Sequence, residues 1–153
     1  MVDSNVEKLG RWLRIAGFDA AYAGNMDDNR LVRLALDQGR ILLTRDRGIL
    51  KRRVAVGGRL RVVFIDRDGT GAQLRQVFSA LQLSAAMRPF SRCAECNTSL
   101  LPKLKDEVGG LVPPYVYRTH EQYMQCPDCG RVYWRGTHWE RMVKELEAAA
   151  EPA

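Results

Sequence analysis

Long hydrophobic runs are missing from the sequence. No stretch of the 153 residues approaches the roughly 20 apolar residues of a membrane span, and the first residues lack the apolar core of a signal peptide. Internal repeats and low-complexity segments are also missing, apart from an Ala/Glu-rich tail from about Ala148 that we expect to fray. We therefore expect a cytoplasmic protein that is neither bound to a membrane nor built from repeats.

Charge is distributed unevenly along the chain, which has a net charge of +6. Residues 1–90 contain 16 Lys/Arg against 9 Asp/Glu, a net charge of +7, whereas residues 91–153 contain 8 against 9, a net charge of −1. With 46% hydrophobic residues, the chain can bury one core with a small appendage. The basic first part favours a polyanionic partner, although many basic proteins never bind nucleic acid.

Helical and strand patterns alternate in the first part of the chain. The spacing of apolar residues predicts helices over about 6–16, 29–38 and 72–83, and strands over 18–22, 41–44 and at "RVVFID". Such alternation with short connections predicts an α/β fold with a parallel sheet. Composition then shifts near Met87 to Phe90, which predicts one domain over 1–88 and a second over 89–153.

Aspartates follow three of the apolar segments. Asp3 follows "MV", Asp46 lies two positions past "ILLT", and Asp66 ends "VVFID". The carboxyl ends of parallel strands share one edge of a sheet, where ligand sites form. Carboxylates converging there would repel each other unless a divalent cation such as Mg²⁺ or Mn²⁺ lay between them. Asp27 and Asp28, at the start of the second helix, could supply a fourth acid. Alternatively, each aspartate only caps a helix.

Five cations surround Asp46 in the stretch "RDRGILKRR": Arg45, Arg47, Lys51, Arg52 and Arg53. Asp46 could pair with one of them, cap a helix or bind a metal. A basic run is usually a solvated face, but one beside an acidic metal centre suits a phosphate backbone. The five side chains are therefore candidate RNA contacts.

All four cysteines lie in two C-x-x-C pairs, Cys93/Cys96 and Cys126/Cys129, which are separated by 29 residues. Each pair places two thiolates on one side of a tight loop, and two pairs complete the tetrahedral sulfur shell that Zn²⁺ accepts. Because a closed shell leaves no position for water, the predicted zinc is structural. Disulfides or an iron site are the alternatives, and nothing in the sequence suggests the secretion that disulfides usually accompany.

Histidines and aromatic residues near the cysteines are weaker candidates. His120 and His138 could bind zinc or RNA, but four cysteines already fill the zinc shell. Tyr133, Trp134 and Trp139 in "VYWRGTHWERM" could stack on bases, or they could form the small core of the cysteine-rich part.

Four segments carry a family resemblance: "VDSNVEKLGRWLRIAGFDA", "DDNRLVRLALDQGRILLTRDRGIL", "SRCAECNTSL" and "CPDCGRVYWRGTHWERM". Together they resemble the Mut-seven C-terminal RNase domain family, a branch of the PIN-like nucleases that carries a C-terminal zinc ribbon. The resemblance extends from about Val2 to Met142. Its most specific motifs are "LLTRDR" and "CPDCGRVYW".

The resemblance implies a PIN-like α/β/α sandwich of three layers with a parallel sheet, followed by a small zinc ribbon and a C-terminal helix. It also implies a Mg²⁺- or Mn²⁺-dependent endoribonuclease, whose clustered acids bind the metal and activate water against the phosphodiester. By motif, the catalytic positions correspond to Asp3, Asp28, Asp46 and Asp66. Glu7 stands one helical turn beyond Asp3 where the family usually has glycine, so it could crowd the site or add a carboxylate.

Two functions follow from these observations. The first is a metal-dependent endoribonuclease, and the alternative is a catalytically inactive module that binds RNA or the ribosome through the basic face and the zinc ribbon. The sequence is compatible with tRNA, rRNA or mRNA as substrate, and with a homo-oligomer or an antitoxin-like partner.

Overall fold

Residues 1–152, which the computed structural model describes, form seven α-helices and five strands. The helices are α1 Glu7–Ile15, α2 Asp28–Asp37, α3 Arg47–Leu50, α4 Arg53–Val56, α5 Thr70–Leu81, α6 Pro114–Thr119 and α7 Thr137–Ala150. The strands are β1 Leu42–Thr44, β2 Val62–Phe64, β3 Leu101–Lys103, β4 Tyr123–Gln125 and β5 Val132–Trp134. Ala153, the last residue of the predicted second domain, lies outside the described residues. No described helix is long and apolar enough to cross a bilayer.

A short parallel sheet lies at the centre of the first part. Strand β1 pairs with β2 in parallel, with Leu43 opposite Val63. Val2 adds a parallel bridge to Leu43 on one side and to Tyr22 on the other. The prediction of an α/β fold with parallel strands is therefore confirmed.

Tyr22 is the one residue of the predicted strand 18–22 that joins this sheet. The backbone of Ala20 is occupied by side chains instead: its N–H donates to Asn97 Oδ1 at 3.0 Å, and its carbonyl accepts from Arg14 Nε at 2.8 Å. A strand ladder cannot form where side chains already hold the backbone groups. The strand predicted from the apolar pattern is thus wrong over most of its length.

Apolar side chains pack on both faces of β1. Leu43 belongs to the main core, whereas its neighbour Leu42 packs in a second cluster with Leu31 and Ala35 of α2. This alternation is the one that a strand imposes, since successive side chains point to opposite faces. Strand β1 is fully buried, as the run "ILLT" predicts.

Helix α7 completes the main core from the far end of the chain. It packs against α5, and Leu146 and Ala149 are buried beside Phe78 and Leu9. Burying one leucine side chain stabilises a fold by about 1.5–3 kcal/mol. The fraying predicted from about Ala148 is therefore wrong, because α7 continues to Ala150 and Ala149 is buried.

Residues 92–135, here called the cysteine module, form an antiparallel sheet in the order β3-β4-β5. The linker just before the module is hydrogen-bonded to the end of α1: the N–H groups of Arg88 and Phe90 donate to the carbonyls of Ala16 and Ile15. Gly17 has a φ of +96°, and a Cβ there would lie 2.3 Å from the Arg88 carbonyl oxygen. Only glycine fits this close approach, so the junction is specified by sequence.

Candidate metal centre and aspartate site

The four cysteine sulfurs converge on one point. All four Sγ atoms lie within 4.8 Å of one another, and Cys93 Sγ is 3.8 Å from Cys129 Sγ. A tetrahedron with Zn–S bonds of about 2.3 Å has edges of about 3.8 Å. A disulfide would need an S–S distance of about 2.05 Å, and the four cysteines are free. The arrangement therefore fits a metal such as zinc, as the two C-x-x-C pairs predict.

The two cysteine loops share one backbone design. In each, the residue after the second cysteine donates its N–H to the carbonyl of the first: Asn97 to Cys93 and Gly130 to Cys126, both at 3.0 Å. These two residues have φ values of +66° and +74°. Glycine and asparagine tolerate this left-handed conformation best, so the turns that aim the sulfurs are encoded locally.

Hydrogen bonds shift the pKa values of the cysteine thiols in opposite directions. Burial acts to raise the pKa of Cys93, but the Tyr133 hydroxyl at 3.2 Å and the backbone N–H of Cys96 lower it to about 7. The contact with Cys129 raises the pKa of Cys96 to about 12. Since metals bind thiolates, metal uptake at neutral pH releases protons from this cluster.

Arg14 ties the cysteine cluster to α1. Its guanidinium is buried and donates to the carbonyls of Ala20 at 2.8 Å, Ala94 at 3.2 Å and Glu95 at 2.8 Å. Burial lowers the pKa of Arg14, and the negative charge of Cys93 opposes that effect. Sequence analysis missed this residue, because an arginine between Leu13 and Ile15 carries no motif.

Asp3 directly follows Val2, which forms the parallel bridges to Leu43 and Tyr22, and its position is fixed by several hydrogen bonds. It is buried, and its backbone N–H donates to the Leu43 carbonyl at 3.0 Å. One carboxylate oxygen accepts from the Ser4 N–H at 2.6 Å, and the other accepts from Asn5 Nδ2 at 3.0 Å and Thr44 Oγ1 at 2.6 Å. Asp3 is thus both a cap for the turn Ser4–Val6 and a pre-oriented carboxylate.

Asp28 is the first residue of α2, and Asp46 directly precedes α3. Asp46 caps α3 by accepting from the Gly48 N–H at 2.6 Å. Partial burial, followed by the charge of Asp46 and a direct contact with it, raises the pKa of Asp28. Asp3 adds to this effect, and Arg52, 3.6 Å from Asp28, opposes it. The negative charges of Asp46 and Asp3 therefore both act on the Asp28 carboxyl.

Asp66 lies apart from these interactions. Its side chain is 55% exposed and pairs with Arg67 at 3.4 Å. Among the described residues, the four cysteines are the set that places three or more potential ligand atoms within 4.8 Å of one another. The aspartates are spaced more widely. Asp27, which directly precedes Asp28, caps α2 through the Arg30 N–H at 3.1 Å.

The basic run divides into engaged and free cations. Arg45 pairs with Asp68 at 2.9 Å, Arg47 lies 5.0 Å from the centre of the Phe64 ring, and Arg52 contacts Asn29 and Asp28. Within residues 1–152, Lys51 and Arg53 are exposed and form no ion pair. Of the five side chains in the run, these two have no hydrogen-bond, ion-pair or aromatic partner among the described residues.

The histidines lie outside the sulfur cluster. His120 is hydrogen-bonded to Thr119 at 2.9 Å and to the Arg135 carbonyl at 3.2 Å. Both ring nitrogens of His120 thus face oxygen atoms outside the sulfur cluster. His138 is exposed on α7.

The chain is a mixed α/β protein with a four-cysteine site able to hold a metal such as zinc. The family model described as Mut7-C RNAse domain matches residues 1–146, and the chain belongs to this family. The resemblance found in the sequence is thereby confirmed, and membership indicates a ribonuclease-like function with RNA as substrate. Comparisons with curated proteins and with solved structures give no significant match.

Proposed function

We propose that the protein is a metal-dependent endoribonuclease with a PIN-like fold, in which Asp3, Asp28 and Asp46 form the catalytic centre. The observation that supports this most strongly is the Thr44 hydroxyl, which donates to the Asp3 carboxylate at 2.6 Å and accepts the Asp46 N–H at 3.0 Å, and so keeps these two acids near each other. Asp28 fits the same site, because burial and then the charge of Asp46 raise its pKa. Asp66 stays a predicted fourth acid, which could join the site if its exposed side chain leaves Arg67.

The donor set suits a hard divalent cation such as Mg²⁺ or Mn²⁺. Carboxylate oxygens are the preferred ligands of these ions, and a cation would relieve the repulsion between Asp28 and Asp46. The 3.3 Å contact from Ser4 Oγ to Asp3 is the weakest that this carboxylate accepts, so it is the easiest to exchange for a ligand bond. When bound, the cation supplies a water of lowered pKa for attack on the phosphodiester.

The residues of the chain supply orientation and substrate binding. Thr44 fixes the direction of the Asp3 carboxylate, and the Gly48 N–H fixes that of Asp46. Lys51 and Arg53, just beyond α3, offer exposed positive charge for the phosphates on either side of the cut.

The remaining parts fit the same proposal. Apolar clusters on both faces of β1 support a three-layer sandwich. The cysteine module acts as a zinc ribbon whose four thiolates fill the metal shell, so that its zinc is structural. The wider spacing of the aspartates favours one competing function, an inactive RNA-binding module.

Cleavage of total tRNA and rRNA fragments tests the proposal. Wild-type protein should cut RNA internally when Mn²⁺ is added and not when divalent metal is omitted, and Asp46→Asn should remove most of this activity. Asp37→Asn removes the same charge at the exposed end of α2 and should leave cleavage unchanged. RNA binding without any metal-dependent cleavage would favour the inactive module.

A further inference from the structure

A groove of about 380 Å³ lies where the linker after α5 meets the sheet of the cysteine module and the start of α7. We call it the aromatic groove. Its walls are mainly aromatic and thioether side chains, contributed by Met87, Phe90, Met124, Tyr133, Trp134 and Trp139. It is separate from the aspartate cluster, which is built by the starts of α2 and α3 and by Asp3.

Phe90 occupies its place at a conformational cost. Its φ of +58° is uncommon for a bulky residue, and its N–H is fixed to the Ile15 carbonyl at 2.9 Å. This backbone places the ring 5.6 Å from that of Trp139 and 6.1 Å from that of Tyr133. The surrounding structure must hold such a residue in place, and residues of this kind are concentrated at functional sites.

Positive charge is available at the edge of the aromatic groove. The Arg135 guanidinium lies 5.3 Å from the centre of the Trp139 ring, and Arg88 is exposed on the linker. Within the described residues neither arginine forms an ion pair, and the lining contains no carboxylate. Aromatic faces beside unpaired cations are the features with which proteins bind single-stranded nucleic acids.

We propose that the aromatic groove binds an unpaired nucleobase of a single-stranded RNA, with the adjoining phosphates on Arg88 and Arg135. The proposal rests on the proposed ribonuclease function and names its substrate class. A base in a duplex presents no free face, so the groove selects unpaired RNA. Stacking is open to every base, and recognition there should tolerate sequence changes.

The aromatic groove and the aspartate cluster lie at opposite ends of α1. The linker that carries Phe90 is hydrogen-bonded to the carboxyl end of this helix, whereas Asp3 precedes its amino end. A helix of nine residues is about 13 Å long. One strand must therefore span several nucleotides to contact both places, and the groove holds a nucleotide remote from the bond that is cut.

Binding of an oligoadenylate to the full chain, without added Mg²⁺ or Mn²⁺, tests the proposal. Trp139→Leu should weaken binding by about five- to 160-fold, the range expected for loss of one base–aromatic stack. Trp139→Phe should retain most of the affinity. The pair Arg88→Gln and Arg135→Gln should reduce the slope of log K against log salt by about 1.4. The control pair Arg75→Gln and Arg118→Gln removes equal charge at exposed positions outside the groove.

The outcomes separate this proposal from the ribonuclease proposal. Oligoadenylate bound equally by wild type, Trp139→Leu and the groove arginine variant overturns the groove, as does wild-type protein that fails to bind oligoadenylate. If Trp139→Leu unfolds, which its melting curve and metal content would show, the salt slope of the arginine variant decides between the outcomes, since both arginines are exposed. Groove-dependent binding without metal-dependent cleavage would support the groove proposal and refute the ribonuclease proposal.

Discussion

The Thr44 hydroxyl donates to Asp3 Oδ2 at 2.6 Å and accepts the Asp46 N–H at 3.0 Å. The fully buried side chain of Thr44 thereby joins the Asp3 carboxylate to the backbone of Asp46, the residue that caps α3. This one oxygen therefore fixes the relative positions of two aspartates that lie 43 residues apart in sequence.

Thr44→Val removes that oxygen and keeps the shape of the side chain. We expect the free energy of unfolding to fall by about 1–3 kcal/mol, because the Asp46 N–H loses its acceptor and Asp3 loses a donor. RNA cleavage should fall with it as Asp3 loses its orientation. Thr44→Ser keeps the hydroxyl and should retain more cleavage than Thr44→Val. Urea unfolding and cleavage rates of both variants check this, and equal cleavage by the two would speak against an orienting role.

Asp46→Asn should lower the pKa of Asp28 and leave the free energy of unfolding at neutral pH nearly unchanged. Asparagine caps helices about as well as aspartate, so α3 keeps its cap. Loss of the Asp46 charge should lower the pKa of Asp28 toward its ordinary value. A raised carboxyl pKa means that wild-type protein loses stability as the pH rises through it, so the variant should lose less. Carboxyl NMR titration measures the shift, and an unchanged Asp28 would refute the coupling.

Lys51→Gln with Arg53→Gln should weaken RNA binding mainly at low salt. Each phosphate contact contributes a slope of roughly −0.7 in log K against log salt on single strands, so the pair should flatten the slope by about 1.4. All RNA sequences should be affected alike, since phosphate contacts carry no sequence information. Fluorescence anisotropy across a salt series measures the slope. A wild-type slope in the variant would mean that these cations are only a solvated face.

Purified protein should contain about one zinc per chain, because four convergent thiolates make a closed shell. Removing the metal should unfold the cysteine module and also lower the melting temperature of the main core. The second effect is expected because α7, which follows the module, supplies Leu146 to that core. Elemental analysis and circular dichroism check both points, and iron in place of zinc would correct the metal assignment.

Asp19 should contribute to acid stability. The Arg40 hydrogen bond at 2.9 Å, opposed by partial burial and aided by Asn97 at 2.7 Å, lowers the pKa of Asp19 below 3.8. A lowered carboxyl pKa gives stability that is present above pH 3.8 and is lost as the pH falls toward the folded value. Asp19→Asn should therefore make unfolding less dependent on pH below about 4. Acid titrations of the two proteins, followed by fluorescence, should differ in slope below about pH 4, and Asp19→Asn should be the less stable protein above it.

Local patterns predicted much of the fold. The helices α1, α2 and α5 and the strands β1 and β2 lie within two residues of the predicted bounds, because their apolar spacing is regular. The convergence of Cys93, Cys96, Cys126 and Cys129 was also predictable, since two C-x-x-C pairs leave few other arrangements.

Long-range contacts explain what sequence analysis missed. The segment 18–22 has a strand pattern, but Arg14 and Asn97 capture the backbone of Ala20 from distant positions. Nothing in the Ala-rich end of the chain shows that Ala149 packs in the main core. The role of the Thr44 hydroxyl could not be predicted either, because threonine is common in strands.

The position of α7 affects how the protein is made. Synthesis proceeds from the amino terminus, and a domain usually folds as soon as its own residues are available. Here the surface of α5 that α7 covers stays open to solvent until the last helix has been translated. The nascent chain must therefore carry an uncovered apolar face through the whole translation of the cysteine module, a period in which aggregation competes with folding.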